Sequence, residues 1–597
     1  MKKFISVFTS AALTICSVMS AGSQALASFL YNDGADCSDV RCVVKLLEDP
    51  LCKNETAIKE GVDKYILTDE GKAEYASIME EHEFAIEQIS NLTGENVYSE
   101  YDYTAAFNGF SVVLSYKDYK QVKRNQTSLG ISGIEVTEYV GSSSETAEKK
   151  NTAETYSYSK TDLSQRIMDS IGTTDTDYKG DQMVIAVIDS AFDLKHEYLT
   201  MPEGATGRLS KDDVSAISKY TSASSAGGKN FYYSEKIPFA FNYYDKTNDT
   251  LKTFDDHGTH VAGIAAGNAS AVTNSSYAPQ GIAPDAQLAL MSAYDFEESK
   301  LLAAYDDCMF IGADVINASY GATGTTNYDN VLTSEAISNL NDSGIVFCVA
   351  AGNDGKNENT GLLDYSTGGY PTNIISALSV GSAENYFQYI ISVKVGDNSY
   401  ELIGDLSDTT DMTNISNALN GKTLEYVPVP GTGTESDYEG IDVNGKVALV
   451  ARGEIEFEEK AENAAANGAV GIIFYNTQGN NENIDIVCET LPAGLVSYDD
   501  GQKMIAENNK KVYISNKSEI ALKYDKNVMS DFSSWDFTEN LMLKPDITGF
   551  GGKIVSSIPT EETNKKHNEY AIYSGTSMST PQLTGLMALL KQHSEQC

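Results

Sequence analysis

Three short runs of the chain are apolar almost throughout and end on a polar group. "MVIAVID" (183–189) ends on Asp189, "DVINASYG" (314–321) carries Ser319 near its end, and "IVFCVAAGN" (345–353) ends on Asn353. Continuous apolar runs of this length predict strands buried on both faces, as in a mostly parallel sheet with helices on either side. Helices are expected between them, at about 259–267 and 296–312. In such α/β sheets ligands bind beyond the carboxyl ends of the strands. Three polar groups at that end therefore point to one shared crevice.

The flanking segments have other patterns. In "EYASIMEEHEFAIEQIS", Tyr75, Ile78, Met79, His82, Ala85, Ile86 and Ile89 fall on one helical stripe, with His82 expected to be a half-buried structural residue. "YTAAFNGFSVVLS" (103–115) turns at Asn108-Gly109 and runs into a strand. These features predict a small α+β unit, followed by a polar linker over about 141–160. From about 384 to 526, "ISVKV", "KVALVA" and "VGIIFYN" are split by Asn, Asp and Gly turns around one helical stretch, "EFEEKAENAAANG". That texture predicts a β-rich module inserted into the α/β domain. The expected divisions are 1–27, 28–155, 156–383, 384–526 and 527–597.

Composition narrows the class. The 597 residues hold 43 Lys and Arg against 85 Asp and Glu, a net charge of -42. This argues against nucleic-acid binding, which needs a basic face, and reads as the solvated surface of an exported protein. The first residues, "MKKFISVFTSAALTICSVMSAGSQALA", combine Lys2 and Lys3 with an apolar run and a small-residue site at Ala25-Leu26-Ala27. They read as a secretory signal peptide cut after Ala27, and no other stretch is long and apolar enough to cross a bilayer. The eight cysteines, Cys16 among them in the signal, show no zinc spacing; Cys348 reads as a small buried apolar residue.

The candidate chemistry lies in "YSGTSMSTPQLTG" (573–585), which is crowded with hydroxyls. A serine needs a base within hydrogen-bond reach, a group that orients the base, and donors for the oxyanion. Of six histidines, His82 precedes the catalytic region, His567 and His593 stand in polar surroundings, and His196 is expected to be structural. "DDHGTHVAGIAAG" leaves His257 and His260, three apart on a helix start, with His257 expected to face the crevice. That spacing lacks the i, i+4 pattern and the third ligand of a HEXXH metal site. Pro581 is expected in a first helical turn, which puts Ser577 at a helix N-terminus where free N–H groups stabilise a developing anion. The other hydroxyls are expected to act as caps and turn bonds. G-x-S-x-G is not met, and the order Asp, His, Ser differs from that of α/β-hydrolases.

These motifs resemble the subtilisin-like serine proteases, the subtilases. The resemblance implies that "VIAVIDSAFDLKH" carries the acid Asp189, "HGTHVAGIAAG" the base His257, and "GTSMSTPQLTG" the nucleophile Ser577. It implies Asn353 of "AAGND" as the oxyanion donor, beside the Ser577 N–H, and places Ser319, Tyr320, Gly321 and Gly352 along the substrate cleft. The activity implied is endopeptidase cleavage of polypeptide substrates. Residues of about 60–140 resemble the family's propeptide, an intramolecular inhibitor and chaperone. Residues 440–476 resemble the protease-associated domain of lactocepin-like cell-envelope proteinases. No cofactor is required for this chemistry; calcium is common in the family as a stabiliser, with no ligand assigned here. A secreted or cell-envelope location follows from the same likeness. Ala191 stands where the family has glycine, Asp536 and Phe537 replace Gly-Pro, and Gly549 and Phe550 replace Ala-Pro. The chain also ends one helix after Ser577, so a shortened or compact member is expected. The alternative function is an inactive subtilase-fold protein that acts by binding.

Overall fold

The computed structural model describes residues 39–139, 176–250, 255–272, 280–323, 331–356, 367–403, 413–453, 455–479, 486, 488–524, 527–538, 540–560 and 568–596. The signal segment 1–27, the linker 141–160, His567, Cys37 and Cys597 lie outside the described residues.

The N-terminal unit is an antiparallel sheet of β1 (Asp39–Leu46), β2 (Ser99–Tyr103), β3 (Gly109–Ser115) and β4 (Ile131–Tyr139), ordered β2-β3-β1-β4. Helix α1 (Asp69–Thr93) begins where the Thr68 side chain accepts the Gly71 N–H, and stops at Gly94 in the left-handed region (φ 78°). Its apolar stripe lies as the periodicity predicts, with Ile78, Ala85 and Ile89 buried. His82 departs from expectation by being fully buried. Its Nδ1 pairs with Asp102 Oδ1 (3.0 Å) and its Nε2 with Asn108 Oδ1 (2.9 Å), so both ring nitrogens are satisfied without water.

The central sheet contains β5 (Val184–Asp189), β6 (Phe239–Asn242), β7 (Gln287–Ser292), β8 (Val315–Ala318), β9 (Val346–Ala350), β10 (Leu378–Glu384) and β11 (Ile547–Gly552). All its pairings are parallel, in the order β11-β10-β9-β8-β5-β7-β6. Helix α2 (His257–Ala266) packs on one face; α3 (Glu298–Phe310) and α4 (Val331–Asp342) pack on the other. After β11, the hairpin of β12 (Ile554–Ile558) and β13 (Glu569–Tyr573) leads into α5 (Thr576–Gln596), which joins α2. Alternate residues of β5 serve the two cores: Ile185 and Val187 face α2 and α5, whereas Ala186 and Ile188 face α3 and α4. That double burial is why the run is apolar at every position.

The N-terminal unit docks on α3 and α4. Tyr101, Tyr103 and Phe107 share one apolar core with Leu302, Tyr305 and Leu340. The backbone N–H groups of Thr104, Ala105 and Ala106 converge on the buried Asp306 carboxylate (3.1, 2.7 and 2.8 Å). Tyr103 donates its hydroxyl to the Ser299 carbonyl (2.9 Å), and Asn339 Nδ2 donates to the Ala106 carbonyl (2.8 Å).

The insert forms a seven-stranded sheet of its own, between β10 and β11 in the chain. It is β-rich, but half of it is parallel: Thr423–Pro428, Val447–Ala451, Gly471–Tyr475 and Ala493–Val496 run side by side. The apolar run of Val447–Ala451 is again buried on both faces, Val447 and Leu449 entering one core and Ala448 and Val450 another. Where the chain leaves and rejoins the central domain, the Glu384 N–H donates to the Val528 carbonyl (2.8 Å) and the Ser530 N–H to the Ser382 carbonyl (2.9 Å). Adjacent parallel strands β10 and β11 thus flank the whole insertion. Cys42, Cys52, Cys308, Cys348 and Cys488 are buried free thiols.

Candidate active site

The carboxyl end of the central sheet gathers residues from separate segments. Asp189 is the last residue of β5 and is fully buried. His257 is the first residue of α2, and its Nδ1 donates to Asp189 Oδ1 (2.8 Å). The same oxygen accepts the Ser190 N–H (2.8 Å), so the carboxylate is fixed before it orients the ring. With Nδ1 committed as a donor, Nε2 is the basic nitrogen. The approach of α2 to β5 depends on Gly258: a Cβ there would come within 2.4 Å of the Ala191 carbonyl and 3.1 Å of Asp189 Cβ. Ala191 is not among the residues with positive φ, so alanine at this glycine position of the family carries no strain of that kind.

Burial lowers the His257 pKa, but the negative charge and hydrogen bond of Asp189, then Asp255 and Asp256, outweigh it and hold the group at about 9. The imidazole is about one-fifth exposed (21%), enough to meet a substrate. His260 has a different fate. It is fully buried, stacks on Tyr573 (4.5 Å between ring centres) and donates Nε2–H to the Ala571 carbonyl (3.1 Å). Burial pushes its pKa down to about 3, so it stays neutral. Environment thus separates the two histidines. His196 is structural as expected, donating Nε2–H to the Glu569 carbonyl (2.9 Å).

Among the hydroxyls of 573–585, position separates the roles. Ser579 and Thr580 are buried and donate to the Thr576 carbonyl (2.9 and 2.8 Å), and Thr584 is buried against Asn317. Ser574 is exposed and accepts the Lys553 N–H (2.9 Å). Ser577, half-buried at the second position of α5, donates its Oγ–H to the Ser319 carbonyl (3.1 Å). Pro581 departs from expectation: α5 starts at Thr576, so the proline lies inside the helix rather than in its first turn.

Asn353 follows β9. Its Oδ1 accepts both the Thr576 N–H (2.8 Å) and the Thr576 hydroxyl (3.0 Å), which turns its Nδ2 donors away from that contact. Nδ2 lies 3.3 Å from where a Cβ at Gly575 would stand. Gly352 takes φ 106°, which a side chain would strain, and gives its N–H to Thr576 Oγ1 (3.1 Å). Thr576 is therefore the residue that sequence reasoning missed. It stands beside the nucleophile candidate, but its partner is more than two hundred positions away in the chain.

Ser319, Tyr320 and Gly321 follow β8. The Tyr320 side chain does not line the cleft: its hydroxyl meets that of Tyr305 (2.6 Å) and its ring stacks on Phe296 (4.8 Å), so only its backbone remains to face a substrate. Gly321 is exposed, and the next residue, Ala322, pairs with Tyr370. Among the described residues no group of three or more His, Cys, Asp and Glu side chains gathers to hold a metal, so calcium is assigned no ligands.

The sequence profile described as the subtilase family matches residues 180–596. The PI-type proteinase of Lactococcus lactis subsp. cremoris is 33% identical over 447 residues, covering 70% of this chain and 23% of the relative. The C5a peptidase of Streptococcus pyogenes serotype M3 is 32% identical over 437 residues, covering 70% of this chain and 35% of that protein. The chain thus spans about a quarter to a third of the length of these curated relatives. A solved psychrophilic subtilisin-like protease from Pseudoalteromonas sp. AS-11 aligns over 73% of this chain and 88% of its own, at 17% identity and a TM-score of 0.37. With the profile running from just before β5 to the last turn of α5, this chain belongs to the subtilase family of serine endopeptidases.

Proposed function

We propose that this chain is a secreted serine endopeptidase, made as a zymogen, that cleaves polypeptides through Asp189, His257 and Ser577. The observation that carries this reading is the Nδ1 hydrogen bond of His257 to the buried Asp189, with Ser577 held on the Ser319 carbonyl just past the adjoining strand β8. For the reaction the Ser577 hydroxyl turns from the Ser319 carbonyl to His257 Nε2, which takes its proton as Oγ attacks the peptide carbonyl and then returns it to the leaving amine. Asp189 holds the tautomer and stabilises the imidazolium. Asn353 Nδ2 and the Ser577 N–H receive the oxyanion, and water then hydrolyses the acyl-enzyme by the same steps in reverse.

The N-terminal unit is assigned as propeptide, inhibitor and folding chaperone. Its shared core with α3 and α4, and its loop amides on Asp306, support this assignment. Export rests on the signal-like segment 1–27. The test is maturation of the precursor 28–597 beside Ser577→Ala, followed by intact mass and by fluorophosphonate labelling with peptide mapping. Wild type should shed the N-terminal unit and label at Ser577, and the variant should do neither. A folded wild type that neither matures nor labels would establish the binding-protein alternative instead.

A further inference from the structure

An α-helix pairs each N–H with the carbonyl four residues earlier. For the carbonyl of Ser577 that donor would be residue 581, and residue 581 is proline, which has no N–H. The helix therefore lacks its own bond at the residue whose side chain must be aimed.

The missing donor comes from outside the helix. Ser319 Oγ–H donates to the Ser577 carbonyl (3.0 Å). Ser319 Oγ in turn accepts from Asn317 Nδ2 (2.9 Å), and Asn317 Oδ1 accepts from Thr584 Oγ1 (3.0 Å). From Asn317 to Ser577 the bonds run in one direction, and the single Thr584 hydroxyl proton lies between Asn317 Oδ1 and the Thr580 carbonyl of its own helix (3.0 Å each). Asn317 and Thr584 are fully buried and Ser319 is 5% exposed, so water has little access to compete. Thr584 lies two turns beyond Ser577 on the same helix. The strap thus leaves α5 after the proline, crosses the end of β8 and rejoins α5 before it. Ser319 also accepts the Ser577 hydroxyl on its backbone carbonyl (3.1 Å), so the hydroxyl and the carbonyl of Ser577 meet one residue.

We propose that Ser319 is a positioning residue for the nucleophile, its hydroxyl supplying to the Ser577 carbonyl the hydrogen bond that Pro581 removes, with Asn317 and Thr584 orienting it. The proposal rests on the reading of Ser577 as nucleophile. It goes beyond a cleft-lining role for Ser319, because it concerns the side chain and acts on the enzyme's own helix. Nucleophilic attack is sensitive to small errors in aim, so a loosened first turn of α5 lowers the rate of acylation more than it weakens substrate binding.

The test compares wild type, Ser319→Ala, Pro581→Ala, the double variant and Thr584→Val, all as the full matured protein. The readouts are the rate of fluorophosphonate acylation, kcat and KM on a peptide substrate, and the melting temperature. Ser319→Ala should slow acylation and kcat by about tenfold with KM nearly unchanged. Thr584→Val, remote from the cleft, should slow both by about threefold. In the Pro581→Ala background residue 581 regains its N–H, so the Ser319→Ala loss should shrink to about twofold or less. An equal loss in both backgrounds, or a lower melting temperature with unchanged acylation, overturns the proposal. If Ser319→Ala does not fold, Thr584→Val with and without Pro581→Ala makes the same comparison. The nucleophile reading is decided separately, by whether the probe maps to Ser577 in the wild type.

Discussion

Asp189 and His257 illustrate how a pair of residues sets a pH dependence. In the proposed mechanism His257 acts as a base only when neutral, and its surroundings hold its pKa at about 9. A base with a raised pKa is mostly protonated below that value, so kcat/KM should climb with pH toward about 9 instead of levelling near the ordinary histidine value. Asp255→Asn removes one of the charges that raises the pKa, so the acid limb of the pH–rate profile should move to lower pH. An unmoved limb would show that Asp255 has no electrostatic part in the site. Asp189→Asn should lower kcat by about 10⁴ at neutral pH, because the neutral amide no longer holds the productive tautomer. Asn353→Ala should cost about 10²–10³ in kcat, the size known for an oxyanion donor in subtilisin, a member of this family, with little change in KM. Both losses are measured by steady-state kinetics on a peptide substrate.

At the scale of elements, the docking of the N-terminal unit depends on helix α3. Asp306 accepts three loop amides at once, an arrangement that a neutral side chain with one acceptor oxygen cannot match. Asp306→Asn should therefore weaken association of the cleaved N-terminal unit by about tenfold or more, measured by inhibition of the matured enzyme with the separate unit. An unchanged inhibition constant would move the weight of docking to the apolar contacts of Tyr101 and Phe107. The elements themselves were largely legible. The runs ending at Asp189 and Asn353 form strands because alternate residues enter two different cores, and the stripe from Tyr75 to Ile89 forms a helix because one face is covered. Pro581 was placed wrongly because its usual position is the first turn, and only the third dimension supplies the donor that lets it sit deeper.

For the whole molecule, the insert between β10 and β11 has cores separate from those of the central sheet. Truncating Ile473, fully buried in the insert, to Ala should destabilise the insert by about 2–5 kcal/mol while leaving the rate of fluorophosphonate labelling unchanged. Calorimetry should show the shift in one transition only. A fall in labelling would mean that the two units fold as one. The acidic balance of the chain enters here too, as a property of its surface rather than of its fold.

What the sequence by itself determined is the set of candidates and their order: a carboxylate at the end of an apolar run, a histidine at a helix start, a serine amid small residues, and an asparagine after a buried strand. Local patterns suffice for these because strand burial and helix starts are encoded by neighbouring residues. The tertiary structure decided which candidates differ from their neighbours. His257 and His260 stand one turn apart on one helix, yet one meets Asp189 and the other is sealed against Tyr573. Tyr320 stands between Ser319 and Gly321, the residues expected along the cleft, yet its side chain turns into the core. The support for Ser577 comes from Ser319, from Asn317 through Thr584, and from Thr576 through Asn353, in bonds that each join residues more than two hundred positions apart. Charge state, exposure and hydrogen-bond partnership depend on what the folded chain brings within a few ångströms, and no local pattern carries that information.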